Sequence, residues 1–222
     1  MERDVLGLNI FTQIVLPIGR RMENGIIGML GTGFLISKDG LVVTSRHVVA
    51  DNDNGLFVLE PHIDSLNEYQ DTTDNSCRLI GATIVESDPF RDITILKIDV
   101  SGSGTLPEIG SFDNVSVGEE VSILGYPHCV EGRRVLTYQT AVIGAKVILD
   151  SNGIKSKHAV INTQTRPGQS GSLIFSMSRN MIVGILVGAF APNSGVSIAG
   201  INPKELHQTT HCISAEYIKN MI

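Results

Sequence analysis

Short apolar runs, each closed by a turn signal, limit what this chain can fold into more than any other feature. Examples are Ile14-Val15-Leu16, Gly33-Phe34-Leu35-Ile36, Leu41-Val42-Val43-Thr44, Ile93-Thr94-Ile95-Leu96, Val121-Ser122-Ile123-Leu124 and Ile182-Val183-Gly184-Ile185-Leu186. Runs of this length, rich in β-branched residues, read as strands of a sandwich or barrel. Asp39-Gly40, between Phe34-Leu35-Ile36 and Leu41-Val42-Val43, predicts a hairpin, because this pair tolerates the positive φ of a tight turn. Helical periodicity is nearly absent. The exception is the C-terminus, where Ile218, Met221 and Ile222 share a face after a candidate Ser214 cap. Ser101-Gly102-Ser103-Gly104-Thr105 is small, polar and central, and reads as a linker between two β-rich halves. The expected organisation is residues 8–104, residues 105–213 and a short helix over residues 214–222.

Composition narrows the class. The chain has 222 residues, 42% of them apolar, enough for a sizeable core. Charged residues are only 18%, below the roughly 25% of average soluble domains, which hints at surface covered by partners, further domains or a second copy. Net charge is −6 and no basic cluster exceeds a pair, as at Arg20-Arg21 and Arg133-Arg134. Nucleic acid and anionic membranes are therefore poor partners. The start, Met1-Glu2-Arg3-Asp4, is charged and lacks the apolar stretch of a secretory signal. Cys77, Cys129 and Cys212 are too few and too odd in number for a disulfide framework. Free thiols in a reducing, cytoplasmic setting are the expectation.

Three separated residues could share one chemistry. Ser170 lies in Arg166-Pro167-Gly168-Gln169-Ser170-Gly171-Ser172, just before Leu173-Ile174-Phe175. A serine hydroxyl is a weak nucleophile, but the preceding glycine lets the backbone turn its N–H groups toward an attacked carbonyl. Gly168 and Ser170 are the candidate donors. His47 follows Leu41-Val42-Val43-Thr44-Ser45-Arg46, so an apolar strand would deliver it to a strand end as a base. Asp92, just before Ile93-Thr94-Ile95-Leu96, could orient that base, with Asp88 as the rival carboxylate. Taken singly, each motif is common in ordinary loops.

Taken together and in this order, Thr44-Ser45-Arg46-His47-Val48-Val49, Asp92-Ile93-Thr94-Ile95-Leu96-Lys97 and Gly168-Gln169-Ser170-Gly171 resemble the His, Asp and Ser motifs of chymotrypsin-fold serine peptidases. Gly31-Thr32-Gly33-Phe34 and the stretch from Val117-Gly118-Glu119-Glu120-Val121 to Gly125-Tyr126-Pro127 bring the likeness closest to HtrA-type trypsin-like peptidases. It extends over most of residues 10–220. The resemblance implies an all-β fold of two Greek-key six-stranded barrels packed at right angles, with the site between them. His47 and Asp92 would come from the first barrel and Ser170 from the second. It also implies a specificity pocket built from Gln164, Thr165, Val187, Gly188, Ala189 and Gly195. No acidic residue is among these, so small or aliphatic side chains are expected there. The stretch beyond the serine barrel is too short for the PDZ domain that many HtrA members carry. Ser172 departs from the family, which usually has a glycine there, and its hydroxymethyl group could crowd the loop. Gln169 replaces the aspartate with which digestive members pair a freshly cut N-terminus.

The expected activity is thus serine endopeptidase hydrolysis of a protein or peptide, with no cofactor. The alternative is a catalytically silent or partner-gated binding module on the same fold. Homo-oligomers or additional domains are the other expected partners. His207, His211 and Cys212 have a spacing that a helix could turn into a metal site, but no fourth ligand is evident and none is assigned. Cys129, next to His128, reads as a bystander thiol.

Overall fold

A computed structural model describes residues 7–23, 25–102, 104–190 and 209–222, the side chains of 189, 190 and 209 excepted. Ser103 of the linker, Gly195 and His207 lie outside the described residues.

The first half closes into a barrel. Its strands are β1 (Val15–Arg21), β2 (Ile27–Leu35), β3 (Leu41–Ser45), β4 (Leu56–Leu59), β5 (Leu79–Asp88) and β6 (Ile93–Ile98). They pair in the order β1-β2-β3-β6-β5-β4 and back to β1. Closure leaves no open edge, which an isolated sheet this apolar would expose to pairing with other chains. The Asp39-Gly40 hairpin forms as expected, with the Gly40 N–H donating to Ser37 O at 3.2 Å and the Ile36 N–H to Leu41 O at 2.8 Å.

The second half contains β7 (Glu108–Ile109), β8 (Glu120–Gly125), β9 (Thr137–Ser151), β10 (Ile154–Ile161), β11 (Leu173–Ser176), β12 (Met181–Phe190) and β13 (Thr209–Ser214). The sheet order is β11-β8-β9-β10-β13-β12-β7, and β11 also pairs with β12. That pairing closes a six-stranded antiparallel barrel, with β7 added in parallel along the start of β12. Ala141, Ile143, Ala159, Ile161, Leu186 and Cys212 belong to the apolar cluster of this barrel. Side chains alternate along a strand, so His158, Val160, His211 and Ile213 take the opposite, outer face.

Among the described residues two α-helical turns interrupt the β pattern, besides 3-10 turns at Phe112–Asn114 and Cys129–Glu131. α1 (Ile10–Ile14) precedes β1, and α2 (Arg46–Val49) follows β3. The C-terminal helix, Ala215–Asn220, is a 3-10 helix that buries Ile218. Each end of the chain reaches the barrel to which it does not belong. Phe11 of α1 stacks edge-on against Phe175 of β11, with ring centroids 4.9 Å apart. Tyr217 of the C-terminal helix lies under the Arg91 guanidinium, 4.5 Å from its ring centroid. Below these contacts one apolar cluster runs from Val15, Phe34 and Ile95 to Leu124, Leu173 and Ile213, across both barrels.

The strand assignment of residues 209–214 changes one expectation. His211 and Cys212 are neighbours on β13, not on a helix, so their side chains leave opposite faces of the sheet. Among the described residues no cluster of three or more His, Cys, Asp or Glu could hold a metal.

Ser172 fits the fold through a compensating absence. It is fully buried, and a Cβ on Gly125 of β8 would sit 1.8 Å from its Oγ. The hydroxymethyl group occupies space that Gly125 leaves open. Gly125→Ala should therefore lower the stability to unfolding by urea by about 1–3 kcal/mol, the usual range for overpacking. Adding Ser172→Gly should recover most of that loss, and additive effects in this double-mutant cycle would refute the fit.

Candidate active site

The sequence puts His47 at a strand end; the structure moves it one step further. β3 stops at Ser45, and His47 sits in α2, whose turn ends at Ala50 in the left-handed region. The single turn directs the imidazole out of the barrel wall, where its side chain is about half exposed. Asp92 meets it from the loop before β6. Its Oδ2 lies 2.6 Å from His47 Nδ1, and its Oδ1 accepts the His47 backbone N–H at 2.8 Å. One carboxylate thus holds both the ring and the backbone that carries it. The contact assigns the proton to Nδ1 and leaves the Nε2 lone pair for other work.

Asp92 itself adopts φ of 58°, a left-handed conformation that an aspartate tolerates better than most residues. The preceding turn imposes it. Asp88, the rival carboxylate, accepts from the Phe90 and Arg91 N–H groups at 2.9 and 3.0 Å and from Arg91 Nη1 at 2.7 Å. Asp88 therefore builds the turn that presents Asp92. Arg91, stacked on Tyr217, ties that turn to the C-terminus.

Ser170 reaches the same cleft from the second barrel. Its loop is a series of tight turns, with the Gln169 N–H donating to Arg166 O at 3.1 Å and the Ser172 N–H to Gln169 O at 2.9 Å. Gln169 is buried, and its Oε1 accepts the Arg166 N–H at 2.7 Å. An uncharged side chain thus braces this loop from within.

Thr32 of β2 grips the loop across the barrel interface. Its N–H donates to Ser170 O at 3.0 Å, and its Oγ1 donates to Gly168 O at 2.9 Å while accepting the Tyr126 N–H at 3.0 Å. Thr44 Oγ1 in turn donates to Thr32 O at 2.7 Å.

The Pro167–Gly168 peptide has a defined orientation. His128 donates its N–H to Pro167 O at 2.6 Å, and no cis peptide occurs among the described residues. A trans peptide points its carbonyl and its next N–H in opposite directions, so the Gly168 N–H is directed away from His128. Gly168 needs its φ of 93°, and a Cβ there would lie 2.7 Å from both Cys129 Sγ and Tyr126 O. Neither the Gly168 nor the Ser170 N–H donates to another described residue. Cys129 is packed beneath Gly168, and burial pushes its thiol up to about 12, so it stays protonated and inert.

His47, Ser170, Val187 and Gly188 line one open cleft of about 450 Å³. In the structure, Ser170 Oγ donates to Val187 O at 3.1 Å. Its single proton is then committed to that carbonyl, and rotation about χ1 is what would transfer the hydrogen bond to His47. Of the expected specificity residues, Val187 and Gly188 are in this cleft. Thr165 is buried, while Gln164 is exposed and accepts from Arg166 Nη1 at 3.2 Å. Ala189 is on β12 with its side chain outside the described residues, as is Gly195 altogether. Sequence reasoning missed Leu149, His158 and His211, which line the same cleft. The signal was the alternation along β10 and β13, which could not be read until those segments were known to be neighbouring strands.

Residues 31–185 match the family model of the trypsin-like peptidase domain. The chain belongs to that family. The protein of Ectopseudomonas mendocina named probable periplasmic serine endoprotease DegP-like is 31% identical over 183 residues, covering 81% of this chain and 33% of that protein. A protein of the same name from Pseudomonas fulva is 30% identical over 170 residues, covering 75% of this chain and 30% of that protein. The chain thus spans about a third of the length of these curated relatives. Among solved structures, the Rv3671c protease from M. tuberculosis in its active form superposes with a TM-score of 0.67 at 22% identity, over 98% of this chain and 83% of that one. The HtrA-type protease AlgW bound to a decapeptide gives 0.66 at 18% identity, over 95% of this chain and 64% of that one. These likenesses show the two-barrel fold of the chymotrypsin type.

Burial lowers the pKa of His62, His158 and His211, that of His158 to about 4. In the unfolded chain each would titrate near 6.5. Between those limits the unfolded state binds more protons, so stability should fall as pH drops from about 6.5 toward 4. Urea midpoints measured at several pH values should show this slope, and His158→Phe should flatten it. An unchanged slope in that variant would mean that His158 does not contribute.

Proposed function

We propose that this chain is a serine endopeptidase domain that cuts peptide bonds with His47, Asp92 and Ser170. The observation that carries the reading is the 2.6 Å contact of His47 Nδ1 with Asp92, made where the ring faces the same cleft as Ser170. In this reading Ser170 Oγ turns from Val187 O to His47 Nε2, which takes its proton as the oxygen attacks the scissile carbonyl. The imidazolium that forms is stabilised by Asp92 and returns the proton to the leaving amine. The tetrahedral oxyanion sits against the N–H groups of Gly168 and Ser170. A donor of this kind is worth on the order of 10²–10³ in rate. Water then repeats the sequence on the acyl-enzyme. Membership of the trypsin-like peptidase family and the likeness to DegP-like serine endoproteases support the assignment. Protein and peptide substrates accord with it, with small or aliphatic side chains before the cut as the expected preference.

A fluorophosphonate probe tests the reading. Labelling of the wild-type chain should be rapid and absent in Ser170→Ala, and turnover of a cleaved peptide should fall on the order of 10⁶ in that variant. Asp92→Asn should lose about 10⁴ while folding normally. Labelling that survives Ser170→Ala would remove the assignment. A second reading, a site that rests until a partner reorients the serine, is favoured by the Ser170–Val187 hydrogen bond. It predicts no labelling of the isolated chain and labelling once the partner is added.

For the compartment we propose a reducing, cytoplasmic setting, supported by three unpaired cysteines. The periplasmic placement in the relatives' names belongs to those proteins. Cys129 and Cys212 are buried, with thiol pKa values raised by desolvation, while Cys77 is exposed. Maleimide should label one thiol in the native chain and three after unfolding. Purification from its source cell with Cys77 in a disulfide would contradict the reducing setting.

A further inference from the structure

The turn that carries His47 cannot hold its own shape. α2 is a single turn, Arg46–Val49, closed by the Ala50 N–H donating to Arg46 O at 2.9 Å. A helix this short gains nothing from propagation and takes its conformation from its surroundings. Its exit adds a further demand. Ala50 and Asp51 both have φ of 51°, in the left-handed region. Neither is glycine, and at such a φ the Cβ crowds the following carbonyl. Backbone strain of this kind persists only where neighbouring groups over-determine it.

The turn is clamped at both ends. At its start, Asp92 O accepts the Arg46 N–H at 2.9 Å and Asp92 Oδ1 accepts the His47 N–H at 2.8 Å. At its end stands Arg20 of β1, which belongs to none of the catalytic motifs. Arg20 Nη2 donates to Val49 O at 2.7 Å and to Asn52 O. These two carbonyls flank Ala50-Asp51, so one nitrogen with two protons bridges the two left-handed residues. The backbone supplies a longer tie across the same span, with the Asn52 N–H donating to Val49 O at 3.2 Å.

The barrel wall fixes Arg20 in turn. Its backbone is paired with Gly28 of β2 on one side and with Leu56 of β4 on the other. Reaching the turn carries a cost, because Arg20 Nε is buried with no hydrogen-bond partner among the described residues. The charge-assisted bonds to the two carbonyls offset it. Asp51 is fastened as well, but at the surface. It pairs with Arg46 and accepts Ser87 Oγ at 3.0 Å. Side chains of Arg46 and Asp51 are 34% and 43% exposed, and ion pairs this open hold little.

We infer that Arg20 is a positioning residue for His47: its guanidinium staples the strained exit of α2 and so keeps the imidazole against Asp92, facing the cleft of Ser170. It touches neither substrate nor the reacting atoms and acts through the backbone of the turn. The inference rests on the peptidase reading for its effect on turnover, but its effect on the turn can be measured without any cutting.

Two variants and two readouts test it. Arg20→Met keeps the stem and removes the donors. Its kcat on a cleaved peptide should fall on the order of 10–100-fold, the loss that a small misplacement of a reacting group produces. KM should stay within about twofold, because no residue lining the cleft has changed. Ala50→Gly removes an exposed methyl and lets the left-handed conformation form without strain. Alone it should leave kcat unchanged; added to Arg20→Met it should bring kcat back to within about threefold of wild type. The second readout is hydrogen exchange followed by NMR in Ser170→Ala protein. Arg20→Met should speed exchange of the His47 amide by about tenfold and leave the amides of β8 and β11 unchanged, the mark of local opening. Ala50→Gly should reverse that change.

Unchanged kcat and exchange in Arg20→Met, equal acceleration at every amide, or no rescue by Ala50→Gly overturns the staple and leaves the peptidase assignment standing. No cutting by the wild-type chain, together with local acceleration and its rescue, keeps the staple and overturns the peptidase. Should Arg20→Met fail to fold, the double variant should fold; its failure would mean that Arg20 holds more than this turn, and would overturn the inference.

Discussion

A single threonine couples the two halves of this molecule. Thr32 is a first-barrel residue, yet three of its hydrogen bonds go to the second: to Ser170 O, to Gly168 O and from the Tyr126 N–H. Thr44, one residue before the end of β3, fixes the remaining carbonyl of Thr32. All of these groups are removed from water, where a polar atom without a partner is expensive and a satisfied one is held in a unique place. The loop bearing Ser170 is therefore set relative to the barrel that carries His47 and Asp92. Apolar burial drives the barrels together, but it is nearly indifferent to small sliding. The buried hydrogen bonds are what choose one docking geometry.

The rest of the site is built from the same kind of local cross-bracing. Asp88 shapes the turn that presents Asp92, Asp92 grips both the ring and the backbone of His47, and Arg91 ties that turn to Tyr217 at the far end of the chain. On the other side His128 fixes the Pro167 carbonyl and Gln169 braces its own loop. Among the described residues the site offers few polar groups: one imidazole edge, one hydroxyl and two backbone N–H groups with no partner in the fold. A cleft with rigid walls and a few unsatisfied polar groups is what positioning a peptide requires, because the orientation is prepared before the substrate arrives.

Much of this was legible in the residue order. The β-branched runs foretold the strands, and Asp39-Gly40 foretold its hairpin, because both depend on neighbours in sequence. Joint occurrence of the His47, Asp92 and Ser170 motifs pointed to one site although each alone was weak. Other features were hidden for physical reasons. The turn that carries His47 is too short to show helical periodicity, as is α1. Ser172 read as a source of crowding, since nothing in the order of residues shows that Gly125 lies against it. His211 and Cys212 looked like a helical ligand pair only while β13 was unrecognised. Leu149, His158 and His211 were invisible as cleft residues because three separate strands supply them.

The chain's own order decided the secondary structure, the division into two halves and the chemical types available to the site. Those follow from local sterics, from the alternation of side chains and from composition. Tertiary structure decided which of those groups face one another. It put Ser170 in reach of a cleft shared with His47, and made Asp88 a scaffold and Asp92 the partner of the imidazole. Such choices depend on contacts between residues far apart in the chain, and no local rule of conformation contains them.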